Sequence, residues 1–267
     1  MTGEPHEVKT TRKSLRVIEA LQELDGGRVT EVADHVGMAK STAHKHLTTL
    51  ERSGYLDKDG DTYHVGLRFL NLGEYARSRW PAADLIKESI SELSRRTDEE
   101  IDFVAEDHGR VLTVFESYHK WVKYDRGDRE GDGTRYRAQI GTYYYSHATA
   151  SGKAILTEYS RERVERIIDQ WGLPPKTENT ITDREALFEE LERIDRRGYA
   201  IDDEEYTHGL RSVGKAVADP AGDVLGALSV SGPAYRVNGS VLDEEIPRAL
   251  SEVVADLEAD IDAAGAY

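Results

Sequence analysis

The stretch of residues 37–55, GMAKSTAHKHLTTLERSGY, limits what this chain can fold into more than any other segment. Its apolar residues Ala43, Leu47 and Leu50 recur at i, i+4 and i+7, a spacing that places them on one side of an α-helix. Hydroxyl, imidazole and cationic side chains lie on the opposite side. Such groups reach base edges and phosphates in a DNA major groove. The stretch therefore predicts a short helix that packs one face on a core and presents the other to DNA.

Two further helices and a hairpin are predicted around this stretch. Ser14 can cap a first helix, Thr30 can cap a second, and Gly37 makes the turn into the third, which together describe a helix-turn-helix. The apolar residues expected to face inward from the first helix are Leu15, Ile18, Leu21 and Leu24. Asp59-Gly60 favours a hairpin turn because this dipeptide tolerates positive φ. We therefore predict a winged helix-turn-helix over residues 14–66, with an acidic wing.

Polar and apolar flanks border the predicted domain. Residues 1–13 end in the basic cluster Lys9, Arg12 and Lys13, and fit either a flexible arm or one that contacts phosphates. Residues 67–80 predict a linker helix with more apolar residues than one buried face needs, which fits a dimer contact or a simple spacer. We place the domain boundary between residues 78 and 83, so that residues 81–267 form a second domain.

Charge divides the chain in the same way. Residues 1–80 contain 12 Lys and Arg and 12 Asp and Glu, whereas residues 81–267 contain 23 and 39, which accounts for the net charge of −16. A neutral DNA-binding module joined to an acidic companion fits this division, because the companion repels phosphate. Arg outnumbers Lys 24 to 11, and the acidic excess is spread over the second domain. This composition leads to the hypothesis of a salt-loving host.

Several classes of protein are excluded or disfavoured. The 267-residue chain has no cysteine, which excludes disulfides, thiolate metal sites and cysteine nucleophiles. No apolar run approaches the roughly 20 residues that span a bilayer, and the N-terminal residues lack the apolar core of a signal peptide. We therefore expect a cytoplasmic protein without a membrane partner. The nine histidines are scattered, so we predict neither a metal site nor a cofactor, and no catalytic residues.

The second domain mixes strands and helices around several hairpins. This pattern predicts an α+β fold, with one antiparallel sheet and helices on both of its sides. The predicted strands are residues 101–105, 111–117, 121–124, 135–140, 199–201, 213–218 and 224–231, with a charged loop at 125–134. The predicted helices are residues 83–97, one from about 148, one from about 161, one opened by a Thr182–Glu185 capping box and ended by Gly198, and 242–259.

Three segments of this domain carry groups that could bind a ligand. Small residues at 146–153 crowd a helix start, so its backbone N–H groups could receive an anion, or the helix could pack tightly on the sheet. Ser229 and Ser231 alternate with apolar residues on one strand, and Ser212 begins another. These hydroxyls suit a small carboxylate or hydroxy acid, or else lie on a solvated face. The acidic run 202–205 predicts a solvated turn with Asp202 directed into a pocket.

The chain resembles the IclR family of transcription regulators. The matching segments are residues 39–56 (AKSTAHKHLTTLERSGYL), 147–156 (HATASGKAIL), 198–214 (GYAIDDEEYTHGLRSVG) and 227–236 (ALSVSGPAYR). The resemblance implies an N-terminal winged helix-turn-helix, joined by a linker helix to a GAF-like α/β effector-binding domain. It also implies a homodimer or a dimer of dimers on a palindromic double-stranded DNA operator, with a small organic acid or aromatic compound as effector.

The resemblance also implies site residues. Residues 40–52 would form the recognition helix, and the residues expected to contact DNA are Lys40, Ser41, Thr42, His44, Lys45, Thr48, Thr49 and Arg52. The effector pocket would be lined by Ala150, Ser151, Asp202, Leu210, Ser212, Ser229 and Ser231. The chain departs from the family pattern in two places. Lys215 follows Gly214 where a proline is frequent, and tyrosines at 143–145 replace a proline-containing apolar segment.

The resulting hypothesis is a sequence-specific DNA-binding regulator, a repressor or an activator, that responds to a small organic acid. One alternative is an enzyme or a metabolite-storage protein whose N-terminal module only mediates association. The absence of a nucleophile–base pattern in the sequence argues against it. Another alternative is a regulator that dimerises without a ligand.

The charge pattern makes a prediction about salt. A chain with a net charge of −16 repels itself, and salt screens that repulsion. We expect the midpoint of thermal unfolding to rise from low to multi-molar KCl, as measured by circular dichroism. Equal stability without salt would contradict the hypothesis of a salt-loving host.

Overall fold

The computed structural model describes residues 7–117 and 139–265. The chain divides between Arg79 and Trp80 into two compact units. The strand predicted at 121–124, the loop at 125–134 and positions 135–138 of the next predicted strand lie outside the described residues. Gln139 and Ile140, the last two positions of that predicted strand, are not in a strand.

The first unit contains four helices and a small antiparallel sheet in its described part. The helices are α1 (Lys9–Glu23), α2 (Val29–Val36), α3 (Lys40–Arg52) and α4 (Arg68–Ser78), and the strands are β1 (Gly27–Arg28), β2 (Leu56–Asp59) and β3 (Thr62–Val65). The strand order is β1-β3-β2. Gly37 ends α2 in the left-handed conformation at φ 70° and turns the chain into α3. The predicted winged helix-turn-helix is therefore confirmed.

Two predicted helix starts in this unit are wrong. Helix α1 begins at Lys9, so Ser14 lies inside it, and the segment from Lys9 onward is helical instead of a flexible arm. Residues 1–6 of the predicted arm lie outside the described residues. Helix α2 begins at Val29, and the Arg28 backbone N–H donates to the Glu31 carboxylate at 2.7 Å, which takes over the capping expected from Thr30.

The core of the first unit joins the three N-terminal helices to the wing. Its buried residues are Val17, Ala20, Leu21, Val32, Val36, Leu47, Leu56 and Tyr63. Helix α1 turns a different face inward than predicted, since Val17 is buried and Leu15 is 54% exposed. Ala43 and Leu47 turn inward from α3 as predicted, and Leu50 packs partly against the core.

The second unit is a mixed α/β structure. Its helices are α5 (Ala83–Thr97), α6 (Ala150–Thr157), α7 (Arg161–Trp171), α8 (Arg184–Arg197) and α9 (Ile246–Ala264), and its strands are β4 (Glu100–Asp107), β5 (Arg110–Ser117), β6 (Tyr143–Tyr144), β7 (Ala200–Asp203), β8 (Leu210–Ala218) and β9 (Val224–Pro233). The strands form one sheet in the order β6-β5-β4-β9-β8-β7, and every neighbouring pair is antiparallel.

Helices cover both faces of this sheet, as predicted. Alternate residues of each strand point to opposite faces. Leu228 and Val230 of β9 belong to a core shared with α5 and α9. Ala227, on the opposite face, belongs to a second core shared with α6, α7 and α8. We call the latter side the α6 face.

Element boundaries differ from the predictions where ligand groups were expected. Strand β7 extends to Asp203, so Asp202 lies within the strand. Strand β8 begins at Leu210, three residues before the predicted start. Helix α8 is capped by Asp183, whose carboxylate accepts the Ala186 N–H at 2.9 Å, so Thr182 is not the cap. Helix α9 starts at Ile246, after a π-helical turn at Val241–Glu245.

Helix α6 lies unusually close to the sheet. A Cβ atom on Gly214 of β8 would come within 2.6 Å of the Ala150 carbonyl carbon and the Ser151 nitrogen. A Cβ atom on Gly152 would come within 2.4 Å of the Ser146 carbonyl oxygen. The small residues at this helix start therefore serve tight packing, which was one of the two predicted roles.

The close contact between α6 and β8 predicts that replacing Gly214 by alanine destabilises the protein, whereas the same substitution at the exposed Gly73 should stabilise it. Gly214→Ala forces backbone atoms apart and should lower the free energy of unfolding by about 1–3 kcal/mol. Gly73→Ala in α4 adds a methyl group that meets nothing within 4 Å. It should raise stability by about 0.5–1 kcal/mol, because alanine favours helix. Urea denaturation monitored by circular dichroism measures both, and a neutral Gly214→Ala would refute the close contact.

Candidate functional site

The outward side of α3 carries the residues predicted to contact DNA. Of these, Lys40, Ser41, His44, Lys45, Thr49 and Arg52 are exposed, and Thr42 and Thr48 are half-buried. A groove of about 510 Å³ on this side is lined by His44, Lys45, Thr48, Thr49, Arg52 and Ser53. The groove therefore presents two cations, an imidazole and several hydroxyls along one surface.

Hydrogen bonds define how two α3 side chains are presented. The Thr49 hydroxyl donates to the Lys45 carbonyl at 2.7 Å, so it offers a partner only its lone pairs and its methyl group. The Ser14 hydroxyl and His46 Nδ1 lie 2.9 Å apart in a hydrogen bond, which ties α1 to α3 and directs His46 away from the exposed side. Sequence patterns gave no sign of this second contact, because its partners are 32 residues apart.

The start of α1 and the wing, which both belong to the same unit as α3, differ in charge. The start of α1 exposes Lys9, Arg12 and Lys13, although Arg12 pairs with Glu7 at 2.6 Å. The wing exposes Asp57, Lys58, Asp59 and Asp61. The start of α1 is therefore a better phosphate-contacting surface than the wing.

The α6 face of the second unit brings together the residues predicted to bind an effector. Asp202 of β7 lies opposite Ser212 of β8, which lies opposite Ser231 of β9, so the three form a row across the sheet. Ser229 lies opposite Gly214, where the start of α6 with Ala150 and Ser151 makes contact. Leu210 lies two residues before Ser212 and shares its side of β8. The seven predicted residues thus lie on the α6 face; nearest the start of α6 are Ala150, Ser151 and Ser229, and farthest along β8 is Leu210.

The row includes a direct hydroxyl pair and a buried carboxylate. The Ser212 and Ser231 hydroxyl oxygens lie 2.9 Å apart in a hydrogen bond. Asp202 Oδ1 accepts the backbone N–H groups of Glu205 at 2.7 Å and Tyr206 at 3.3 Å. Burial raises the pKa of Asp202 to about 7, and the nearby charge of Lys153 opposes this rise.

Part of the acidic run 202–205 was predicted wrongly. Asp202 is directed inward as expected, but Glu205 is also buried instead of lying in a solvated turn. Its carboxylate accepts a hydrogen bond from the Nζ of Lys153, a fully buried residue of α6. A second carboxylate oxygen, on Glu190 of α8, lies 4.0 Å from the same Nζ. Lys153 therefore neutralises carboxylates from two other elements.

The sequence interpretation missed Asp102 on β4. It lies opposite Ser229, whose hydroxyl donates to Asp102 Oδ1 at 2.5 Å. Burial raises the pKa of Asp102 to about 6, although the Ser229 hydrogen bond and a backbone N–H favour the charged form. Strand alternation could have placed Asp102 on the polar side of β4, but the segment 101–105 was interpreted only as a strand.

The two departures from the family pattern have defined positions. Lys215 alternates with Ser212 and Gly214, so it lies on the other side of β8, and it donates to the Gly198 carbonyl at 2.8 Å. Its half-buried side chain therefore lies away from the residues predicted to bind the effector. Tyr144 belongs to edge strand β6, and its ring contacts that of Tyr206 with centroids 5.2 Å apart. The tyrosines thus cover the sheet edge and also close one side of the α6 face.

These two sites define a class of protein: a winged helix for DNA joined to a domain with a cluster of buried polar residues. Family comparison specifies it further. Residues 10–60 match the IclR helix-turn-helix domain, and residues 78–259 match the C-terminal domain of the bacterial transcriptional regulator IclR. The chain belongs to the IclR family of transcriptional regulators.

Relatives with the same architecture extend over almost the whole chain. The "Probable HTH-type transcriptional regulator ArcR" of Halobacterium salinarum is 30% identical over 264 residues, covering 98% of this chain and 97% of the relative. The crystal structure of Thermotoga maritima IclR has a TM-score of 0.70 and 25% identity, covering 96% and 99% of the two chains. An IclR homologue from Microbacterium hydrocarbonoxydans, complexed with 4-hydroxybenzoate, has a TM-score of 0.74 and 20% identity, covering 96% and 100%.

Within residues 7–117 and 139–265, no group of three His, Asp or Glu side chains could hold a metal ion. No helix in the same ranges is long and apolar enough to cross a membrane.

The raised pKa of Asp202 predicts a pH dependence. Because the folded state holds the proton more tightly than the unfolded state, stability falls as pH rises from the ordinary Asp pKa of 3.8 to about 7. Asp202→Asn should remove up to about 3 kcal/mol of the decrease in the free energy of unfolding between pH 5 and pH 8. Urea denaturation at both pH values measures it. Asp203→Asn, at the exposed neighbouring residue, is the matched control and should keep the wild-type slope.

Proposed function

We propose that this IclR-family regulator binds a specific operator through α3 and that a small metabolite held at the α6 face controls the binding. The observation that carries the proposal is the exposed side of α3, where Lys45, His44 and Arg52 line one groove. A helix of this kind in the major groove reads bases with some side chains and holds phosphates with others. The protein would act in the cytoplasm as a regulator of metabolic genes and not as an enzyme.

Base reading is assigned to Ser41, His44, Lys45 and Thr49. Lys45 reaches guanine O6 and N7, the acceptors that a cation prefers in the major groove. Thr49 already donates to Lys45, so its lone pairs suit the amino group of adenine or cytosine. Lys40 and Arg52, at the two ends of α3, are assigned to phosphates. Because residues 1–80 carry no net charge, little affinity comes from counterion release and more must come from base contacts.

The effector is assigned to the end of α6 where Ala150, Ser151, Asp202, Leu210, Ser212, Ser229 and Ser231 meet. Buried hydroxyls and backbone N–H groups at a helix start offer both donors and acceptors to a small organic acid or related metabolite. A relative of the same fold was crystallised with 4-hydroxybenzoate, which is a small organic acid. The likeness supports a ligand of that size here.

A homodimer, or a dimer of dimers, is the proposed assembly. Helix α4 has no buried residue, and four large apolar side chains on and next to it are exposed. These are Leu67 (80%), Leu70 (69%), Leu72 (43%) and Tyr75 (63%). A second copy covering this surface would place two recognition helices on half-sites of a palindromic operator, about one helical turn apart. An effector then changes operator affinity only as far as it binds two arrangements of the dimer unequally.

Substitution of Lys45 tests the assignment of α3. We expect Lys45→Ala to reduce the preference for operator over random DNA by about tenfold to a hundredfold, because one base contact contributes about 1–3 kcal/mol of discrimination. Fluorescence anisotropy on both DNAs, with an operator taken from in vitro selection, measures the ratio. Lys58→Ala in the acidic wing removes the same charge and should keep the ratio. Equal loss on both DNAs would make Lys45 a phosphate contact only, and wild-type protein without any sequence preference would refute the proposed function.

A further inference from the structure

Among the described residues, two buried carboxylates lie on the α6 face near the start of α6. Asp102 and Asp202 are both buried there, on strands β4 and β7. The buried cation Lys153 is bound to Glu205 and close to Glu190, so it is already neutralised. A ligand that brings only negative charge and acceptor atoms would meet repulsion over most of this surface.

Hydroxyl groups bridge the space between the two buried carboxylates. Asp102 is joined to Ser229, and Ser212 is joined to Ser231 between β4 and β7. Three strand spacings of about 4.8 Å separate β4 from β7, or roughly 14 Å in a flat sheet. A ligand on this surface meets acceptor oxygens at both ends and hydroxyls in the middle.

Asp102 and Thr113 have unused hydrogen-bonding capacity. Asp102 receives one side-chain hydrogen bond, from Ser229, and a carboxylate has about four acceptor positions. Asp102 is buried, with 7% of its surface exposed. Thr113 lies on the neighbouring strand, diagonal to Asp102 on the same face, and is fully buried. Its hydroxyl has no hydrogen-bond partner among the described residues. A buried hydroxyl without a hydrogen-bond partner is energetically unfavourable. A ligand that donates to the Asp102 carboxylate and bonds the Thr113 hydroxyl would use both groups.

We propose that the effector is a hydroxylated or amino compound that donates a hydrogen bond to Asp102, and that Asp102 is the residue that distinguishes it from the corresponding oxo compound. The inference rests on the proposed function, because it assigns the ligand of the same site. A carboxylate on the ligand is compatible with it at the start of α6, where backbone N–H groups lie. A hydroxyl or amine of the ligand then donates a further hydrogen bond to Asp102, which among the described side chains receives only the one from Ser229.

Matched acids test this choice without knowledge of the natural effector. The probes are three series that differ only at the second carbon: glyoxylate, glycolate and glycine; pyruvate, lactate and alanine; 2-oxoglutarate, 2-hydroxyglutarate and glutamate. Glycerate and gluconate extend the hydroxylated arm. Isothermal titration calorimetry and thermal shift on the full chain give the affinities. We expect a hydroxy or amino member to bind at least about tenfold more tightly than its oxo partner, as one hydrogen bond to a charged group provides. Comparison of the hydroxy member with the amino member of each series shows which of the two donors the site prefers.

Two variants assign the preference to Asp102. Asp102→Asn keeps the shape and removes the carboxylate, so it should reduce the ratio of affinities for donor and oxo members to less than about threefold. A merely structural defect would weaken both members together and leave the ratio unchanged. Asp260→Asn, an exposed acid on α9, makes the same chemical change elsewhere and should keep the wild-type ratio. If Asp102→Asn does not fold, the affinities of the wild-type protein for the matched oxo, hydroxy and amino acids still test the proposed ligand class.

Three results would overturn the inference: oxo members that bind as tightly as their donor partners, an unchanged ratio in folded Asp102→Asn protein, or no binding of any hydroxylated or amino probe. Operator binding is measured on the same preparations. Intact sequence preference with any of these results refutes only the ligand assignment, whereas loss of sequence preference in the wild type refutes the proposed function.

Discussion

The close approach of α6 to β8 at Gly214 is the contact on which the second unit depends. Every residue of α6 except Thr157 is buried, and its start rests against the sheet at a distance that no side chain on Gly214 would permit. This contact fixes how far the helix start lies from the hydroxyls of Ser212 and Ser229. A looser packing would fill that space with water and separate the groups that we assign to one ligand.

A buried charge also fixes the position of α6, one turn beyond its start. Lys153 has no exposed surface, and transfer of an ammonium group out of water is costly unless carboxylates accompany it. Glu205 and Glu190 supply them from the loop after β7 and from α8. Loss of either acid would leave a buried charge less well compensated, so the pairing specifies where the loop and α8 lie. Because Asp202 begins the turn that carries Glu205, the position of the ligand site is linked to this charge pair.

The sequence predicted the elements better than their ends. The bounds of α3 match residues 40–52, which the family resemblance implied, and apolar spacing had placed a helix within residues 37–55. The caps expected at Ser14, Thr30 and Thr182 are wrong, since a hydroxyl that can cap a helix does so only if tertiary packing starts the helix there. Asp102 was missed for a related reason. Its role depends on pairing with Ser229, 127 residues later, and nothing local indicates which strands become neighbours.

The exposed leucines of α4 have a consequence for how salt acts on this regulator. Joining two copies, each with a net charge of −16, is opposed by electrostatic repulsion that dissolved ions screen, so concentrated salt would favour the proposed assembly through α4. The same ions compete with cationic side chains for phosphate and weaken DNA binding. Ionic strength therefore acts in opposite directions on two linked equilibria. A brine that would strip many repressors from DNA would here also supply more of the dimer that presents two recognition helices, and that compensation extends the range of salinity over which the regulator can hold an operator.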